Sequence, residues 1–226
     1  MPATPTNPAI TKRFLIVGEG AGDAAFFTHL CEVRNIEGFQ IEDAGGNTNF
    51  QRYLEGLPGR TGFDELEAAL IVSDNDETPD DSWKEVRRQL KKADLPYPDN
   101  PLRVARRSTN SVAILVMMIP FVGNTVSRGC LETLLLESAG NHLPEAKLCV
   151  DSLCSCIDTS KWSQTSLDKM RLRCILASAW SSDPNVGLQW ALKPDKSLIP
   201  LTFQCFDEIA AILGDFENFV AKGGIE

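Results

Sequence analysis

Histidine is nearly absent from this chain: only His29 and His142 occur among 226 residues. None of the seven cysteines (Cys31, Cys130, Cys149, Cys154, Cys156, Cys174 and Cys205) belongs to a C-x-x-C pair. A zinc site built on paired cysteine and histidine spacings is therefore not expected. Nor does the odd, scattered set suggest a disulfide framework; reduced and mostly buried thiols are expected instead. Positive charge is also short. Against 31 Asp and Glu stand 22 Lys and Arg, a formal net charge of −9. That balance argues against bulk, sequence-independent coating of DNA, but it allows a local basic track. Long apolar runs are missing too. The longest, Val112 to Val122, is too short to span a bilayer and suits a strand buried on both faces. The opening "MPATPTNPAITKR" lacks the apolar core of a signal peptide. It reads as a disordered tail over residues 1–11. A cytoplasmic protein without a membrane partner is expected.

Hydrophobic residues make up 43% of the chain and the mean hydropathy is −0.12. That is enough apolar material for one substantial core. "RFLIVGEG" is an apolar run stopped by glycines, which predicts a buried strand and a tight turn. Phe26, Phe27, Leu30, Cys31 and Val33 then fall near helical spacing, with Asp23 placed to cap that helix. "GFQIEDAGG" reads as a second strand, residues 47–57 as a helix, and Leu70 to Ser73 as a third strand. In "SWKEVRRQLKKADLP", Ser82 and Glu85 have capping-box spacing, and Trp83, Val86, Leu90 and Ala93 form an apolar stripe. Val112 to Ile119 is a fourth strand, and "GCLETLLLESAG" is a short helix. This alternation predicts an α/β fold with a mostly parallel sheet flanked by helices. Beyond Asn141 the pattern is helical: Leu143 to Ile157, Ser166 to Ala179 and Thr202 to Val220. The expected division is a tail over 1–11, an α/β domain over 12–140 and a helical extension over 141–226.

Acidic residues stand where such sheets place their chemistry, at the carboxyl ends of strands. Glu19 follows the first strand, and Asp74 and Asp76 follow the third. Side chains two apart on an extended chain point the same way. If the two strands are neighbours, three carboxylates converge. Their repulsion calls for a hard divalent cation, and Mg²⁺ (or Mn²⁺) binds through a few carboxylates, waters and phosphate oxygens.

The motifs "LIVGEGAGD" and "IVSDND" resemble those of the TOPRIM fold family, shared by topoisomerases, bacterial primases and OLD-type nucleases. In that family a strand ends in a glutamate within a Gly-rich turn, and a later strand ends in Asp-x-Asp. The resemblance makes Glu19, Asp74 and Asp76 the metal ligands and catalytic residues, with Asp23 at a further acidic position. "GCLETLLLE" is similar to a segment of bacterial stand-alone TOPRIM-like proteins, which makes Glu132 another acidic candidate. One departure is Gly18, which stands between Val17 and Glu19. The resemblance implies a TOPRIM-like fold and Mg²⁺-dependent phosphodiester chemistry on nucleic acid, as in a nuclease. Neither Tyr53 nor Tyr97 lies in a topoisomerase-like context, and no primase zinc module is visible.

Other readings of the same residues exist. A non-catalytic TOPRIM-like module would bind nucleotide, nucleic acid or a protein without turnover. "DNDET" also fits the first motif of haloacid-dehalogenase-type phosphatases, with Asp74 as nucleophile, Asp76 as acid/base and Thr78 as a hydroxyl contact. That motif normally sits on the first strand and needs a second acidic motif after a later one. "GEGAG" is similar to a dinucleotide-binding turn, yet Asp23 stands where its third glycine belongs. Finally, eight cations against three anions lie between Lys84 and Arg107. Within "RVARRSTN", Arg103, Arg106 and Arg107 are candidates for holding a nucleic-acid backbone beside the acidic site.

Overall fold

The computed structural model describes residues 8–122, 125–196 and 198–225, with the backbone alone for Val122, Thr125 and Val126. Four parallel strands form the central sheet: β1 (Phe14–Gly18), β2 (Phe39–Asp43), β3 (Ala68–Asp74) and β4 (Ala113–Ile119), in the order β2-β1-β3-β4. Helices α1 (Ala21–Arg34), α2 (Asn47–Gly56) and α3 (Pro79–Lys92) connect them. A short antiparallel pair, β5 (Phe121–Val122) and β6 (Thr125–Val126), leads to α4 (Leu131–His142) and α5 (Pro144–Cys156). Then follow α6 (Gln164–Ala179), α7 (Leu188–Ala191), α8 (Asp207–Gly214) and α9 (Phe216–Ala221). This is an α/β fold with helices on both faces of a parallel sheet.

The strands are apolar in both alternating sets, because each face is covered. Phe14, Ile16, Leu70, Val72, Leu115 and Met117 face one core, which α1, α4, α6, α8 and α9 close. Leu15, Val17, Ala69, Ile71, Ile114 and Val116 face the other, under α2 and α3. Each of the larger ones (Val, Leu, Ile, Met or Phe), when fully buried, contributes about 1.5–3 kcal/mol of apolar transfer. The helical second half therefore completes the layer that α1 begins. The chain end is stitched in as well: Val104 donates its N–H to Gly223 O at 3.1 Å, and Ile225 donates to Leu102 O. Gly224 has φ +90°, and a Cβ there would stand 1.9 Å from Leu102 O. Only glycine fits that crossing.

Residues 1–7 of the expected tail lie outside the described residues. Ile10 is buried, and its N–H donates to Thr61 O at 2.9 Å. Two expected details change. Ser82 and Glu85 do not form a capping box. α3 starts a turn earlier, at Pro79, whose fixed φ suits the first helical position. Ser82 instead donates to Asn75 O, and Glu85 holds Arg88. The helix expected over Thr202–Val220 is broken into a 3₁₀ turn, α8 and α9, with Gly214 and Asp215 at the break. Among the described residues no helix is long and apolar enough to cross a membrane.

Candidate active site

Adjacent parallel strands bring β1 and β3 to the same sheet end. Val17 pairs with Ile71, which sets Glu19 beside Ser73. The Ser73 hydroxyl donates to Glu19 Oε1, and the Asp74 backbone adds a second hydrogen bond to that carboxylate. Asp23, at the third position of α1, turns back to accept from the Gly20 N–H at 2.9 Å. It therefore anchors the helix start and faces the acidic cluster at once. Gly18 explains the departure from the usual turn: a Cβ there would lie 2.4 Å from the Asp23 Cβ. Asp74 accepts the Leu131 N–H at 3.0 Å, so the start of α4 points its donors at this carboxylate.

Burial pushes the Asp74 carboxyl up to about 8, with the charges of Asp23 and Glu19 adding to it. Burial also raises Asp23 to about 6, with Glu19 and Glu132 assisting against the Gly20 hydrogen bond. Glu19 is raised as well, by burial first and by Asp76, against its hydrogen bond from Ser73. Without a cation, burial and the neighbouring charges favour the protonated form of Asp74. The buried carboxylates are held by donors, Leu131 N–H on Asp74 and the Ser73 hydroxyl on Glu19, while Asp76 stands exposed to water.

The two aspartates of "DND" do not continue one extended strand. Asn75 is fully buried and bonds Ile119 O and Pro120 O, which turns the chain. Asp76 then adopts φ +47° and is held by Gly129 N–H on its carbonyl. Asp76 is exposed, at the mouth of a cleft of about 420 Å³ lined by Thr78, Ser163, Thr165, Ser166 and Lys169. Its charge still reaches Glu19 and Lys169. Glu132, half-buried on the first turn of α4, acts electrostatically on Asp23, Asp74 and Lys169.

In the sequence nothing distinguishes Lys169 from the other helix lysines. Burial pulls its ammonium down, but Glu132, Cys130, Asp74 and Asp76 together hold it above its ordinary value. α6 is fixed over the site at two points. Glu77 accepts the Thr165 N–H at 2.7 Å, and the buried Asp168 accepts from Thr133 at 2.6 Å and Gln164 at 2.7 Å. Those contacts make Lys169 the counter-charge of the carboxylates.

The basic stretch is not beside this site. Ala105 bridges to Ile114 at the start of β4, whereas Asp74 pairs with Ile119 at its end. The five residues of strand from Ile114 to Ile119 separate them by about 17 Å at ~3.3 Å per residue. Arg106 donates to Ser111 O at 2.6 Å, and Arg107 pairs with the Asp94 carboxylate at 2.6 Å. Arg103 lies with them along an open cleft that includes Tyr97 and Asn100. α3 carries the chain back from the carboxyl end of β3, so these arginines come just before β4, toward the opposite end of the sheet.

The donor set suits a hard cation: every candidate offers carboxylate oxygens, and burial penalises their unpaired charge. Among the described residues no three acidic, histidine or cysteine groups are gathered closely enough to hold an ion alone. Mg²⁺, which is held by one or two carboxylates plus water and substrate phosphate, remains compatible with that spacing.

A family model described as "Protein of unknown function (DUF3226)" matches residues 12–222. No curated protein matches the chain. Among solved structures, the C-terminal region of the Xanthomonas campestris pv. campestris OLD protein is similar in its mercury-phased form, with 16% identity and a TM-score of 0.45, covering 93% of this chain and 98% of that one. Its iodine-phased form gives 17% identity and a TM-score of 0.41, with the same coverage. Both TM-scores lie below 0.5.

Proposed function

From the site of this chain, which belongs to the DUF3226 family, we propose Mg²⁺- or Mn²⁺-dependent hydrolysis of phosphodiesters in nucleic acid by a TOPRIM-like nuclease. The observation that supports it is the grouping of Glu19, Asp23 and Asp74 at one sheet end, opposed by Lys169. Glu19 and Asp74 would hold the cation, with Asp76 reaching it across the cleft mouth. A divalent ion bound there supplies an activated water and neutralises charge at the scissile phosphate. Lys169 binds a non-bridging phosphate oxygen and orients it. The Leu131 N–H fixes the Asp74 carboxylate, and Ser73 fixes Glu19, so both are positioned before substrate arrives.

The test is cleavage of single- and double-stranded DNA and RNA in Mg²⁺ and in Mn²⁺. Wild type should cut, and Asp74→Asn and Glu19→Gln should each lose metal-dependent cutting while retaining the fold. Nucleic acid retained in a shift assay without cutting would instead establish a binding module. Turnover of p-nitrophenyl phosphate that Asp74→Asn alone removes would establish the phosphatase reading of "DNDET".

A further inference from the structure

The candidate site opens sideways onto a trough along α6. Ser166, Lys169, Met170 and Arg173 recur three and four residues apart, so they share one face of that helix. With Lys161 and Trp162 from the turn before the helix, they line a cavity of about 780 Å³. Ser163, Ser166 and Lys169 also line the cleft at Asp76, so the two hollows are continuous.

The trough differs from the site in charge. Lys161, Lys169 and Arg173 line it, and no carboxylate does. Lys161 and Arg173 are both exposed. Arg171 is paired with Asp151 at 3.8 Å, whereas no carboxylate pairs with Lys161 or Arg173 among the described residues. Lys169 answers the acids of the site; the other two cations answer none. In a chain of net charge −9, cations left without acids beside a phosphodiester centre are complementary to a phosphate backbone.

Trp162 supplies the second feature. It is 45% exposed, although its side chain is large and mostly apolar. Its N–H donates to Thr159 O at 2.9 Å, and the next residue, Ser163, caps α6 by accepting the Ser166 N–H at 3.1 Å. The backbone is thus fixed on both sides while the ring stands open. Among the described residues no other ring and no cation packs on it. An open indole between cations can stack an unpaired base. A duplex keeps its base faces inside its own stack, so this arrangement selects a single strand.

Resting on the phosphodiester reading of the site, we propose that the trough along α6 binds a single strand of nucleic acid. A base stacks on Trp162, and the flanking phosphates lie on Lys161, Lys169 and Arg173. Lys169 and Arg173 are about 6 Å apart along the helix at ~1.5 Å per residue, so they hold successive points of one backbone. The strand then passes from Trp162 directly to the acids at the end of β3.

The test is binding of a short fluorescein-labelled oligothymidylate to the full chain, read by anisotropy in EDTA so that no cutting is needed. The single strand should bind about tenfold more tightly than a duplex of the same length. Trp162→Ala should weaken single-strand binding about tenfold, the usual effect of losing one stacked base, and Trp162→Phe should restore most of it. Lys161→Gln and Arg173→Gln should each lower the slope of log affinity against log salt by about 0.7. All four variants should melt as wild type does. Equal affinity for single strand and duplex overturns the proposal, as does no binding of either. So does single-strand binding that Trp162→Ala and Arg173→Gln both leave unchanged, even where the protein cuts. Binding with the expected variant pattern but no cutting in Mg²⁺ or Mn²⁺ upholds the track and overturns the nuclease reading instead.

Discussion

At the scale of single residues the site depends on Lys169 and Gly18 as much as on its acids. Lys169 shares the cluster with Glu132, Asp74 and Asp76, so it competes with a cation for the same negative charge. Lys169→Met should therefore tighten Mg²⁺ binding, read by calorimetry, while lowering single-turnover cleavage about 10²-fold, the usual cost of losing one transition-state charge donor. A variant that loses both binding and rate would contradict the division of roles. Gly18 has the opposite character, since it acts by what it lacks. Gly18→Ala pushes on Asp23, which holds the Gly20 N–H. The expected cost is about 1–3 kcal/mol in urea unfolding, as for other overpacked sites, together with a weakened metal response.

At the scale of elements, the edge strand β2 is fastened by a buried ion pair. Arg60 reaches Glu42 at 2.7 Å with side chains only 7% and 11% exposed, and Tyr53 also donates to Glu42. Burial acts to raise the Glu42 carboxyl, but hydrogen bonds from Arg60, Tyr53 and Gln40 outweigh it and hold it below the ordinary range. A lowered carboxylate contributes stability that is present above its unfolded pKa and lost as pH falls through the folded value. The wild-type urea midpoint should thus fall as pH drops below about 4, and Glu42→Gln should flatten that descent. Arg60→Met leaves the Glu42 carboxylate buried without its partner and should cost about 3–5 kcal/mol at neutral pH. Equal pH profiles for wild type and Glu42→Gln would refute the assignment.

At the scale of the molecule, one hydrophobic cluster runs from β1 and β3 through α4 and α6 to α8 and α9. Residues 12–140 expressed alone should bind a hydrophobic dye and lack a cooperative thermal transition, because the part of that face that α6, α8 and α9 cover is left exposed. A well-dispersed, cooperatively melting fragment would refute this. The two sheet ends also set a length rule. Arg106→Ala with Arg107→Ala should leave cleavage of a very short oligonucleotide unchanged, since about 17 Å of strand separates the neighbouring Ala105 from Asp74. Only longer substrates should lose affinity and salt dependence. Cation binding should raise the melting temperature of wild type, by about 2.7 kcal/mol of stabilisation at a hundredfold excess over Kd. Asp74→Asn should remove most of that rise while slightly stabilising the metal-free protein.

The sequence by itself determined the sheet. "RFLIVGEG", "ALIVSD" and "VAILVMMI" are apolar in consecutive positions, and only a strand covered on both faces makes such runs favourable. It also determined that Glu19 and Asp74 end strands, because the apolar run stops at each. Only the tertiary structure decided which strands are neighbours, and hence that Glu19 meets Ser73 and Asp74. It decided that Asp76 swings out through a left-handed turn, because the buried Asn75 must bond β4's end. It placed Lys169 at the carboxylates by pinning α6 through Glu77 and Asp168, a contact across 88 residues in one case and 35 in the other. And it sent the arginines to the far end of β4. Local pattern reports which residues are buried and which chain segments are extended. Which charges face one another depends on contacts between distant segments, and no local spacing encodes those.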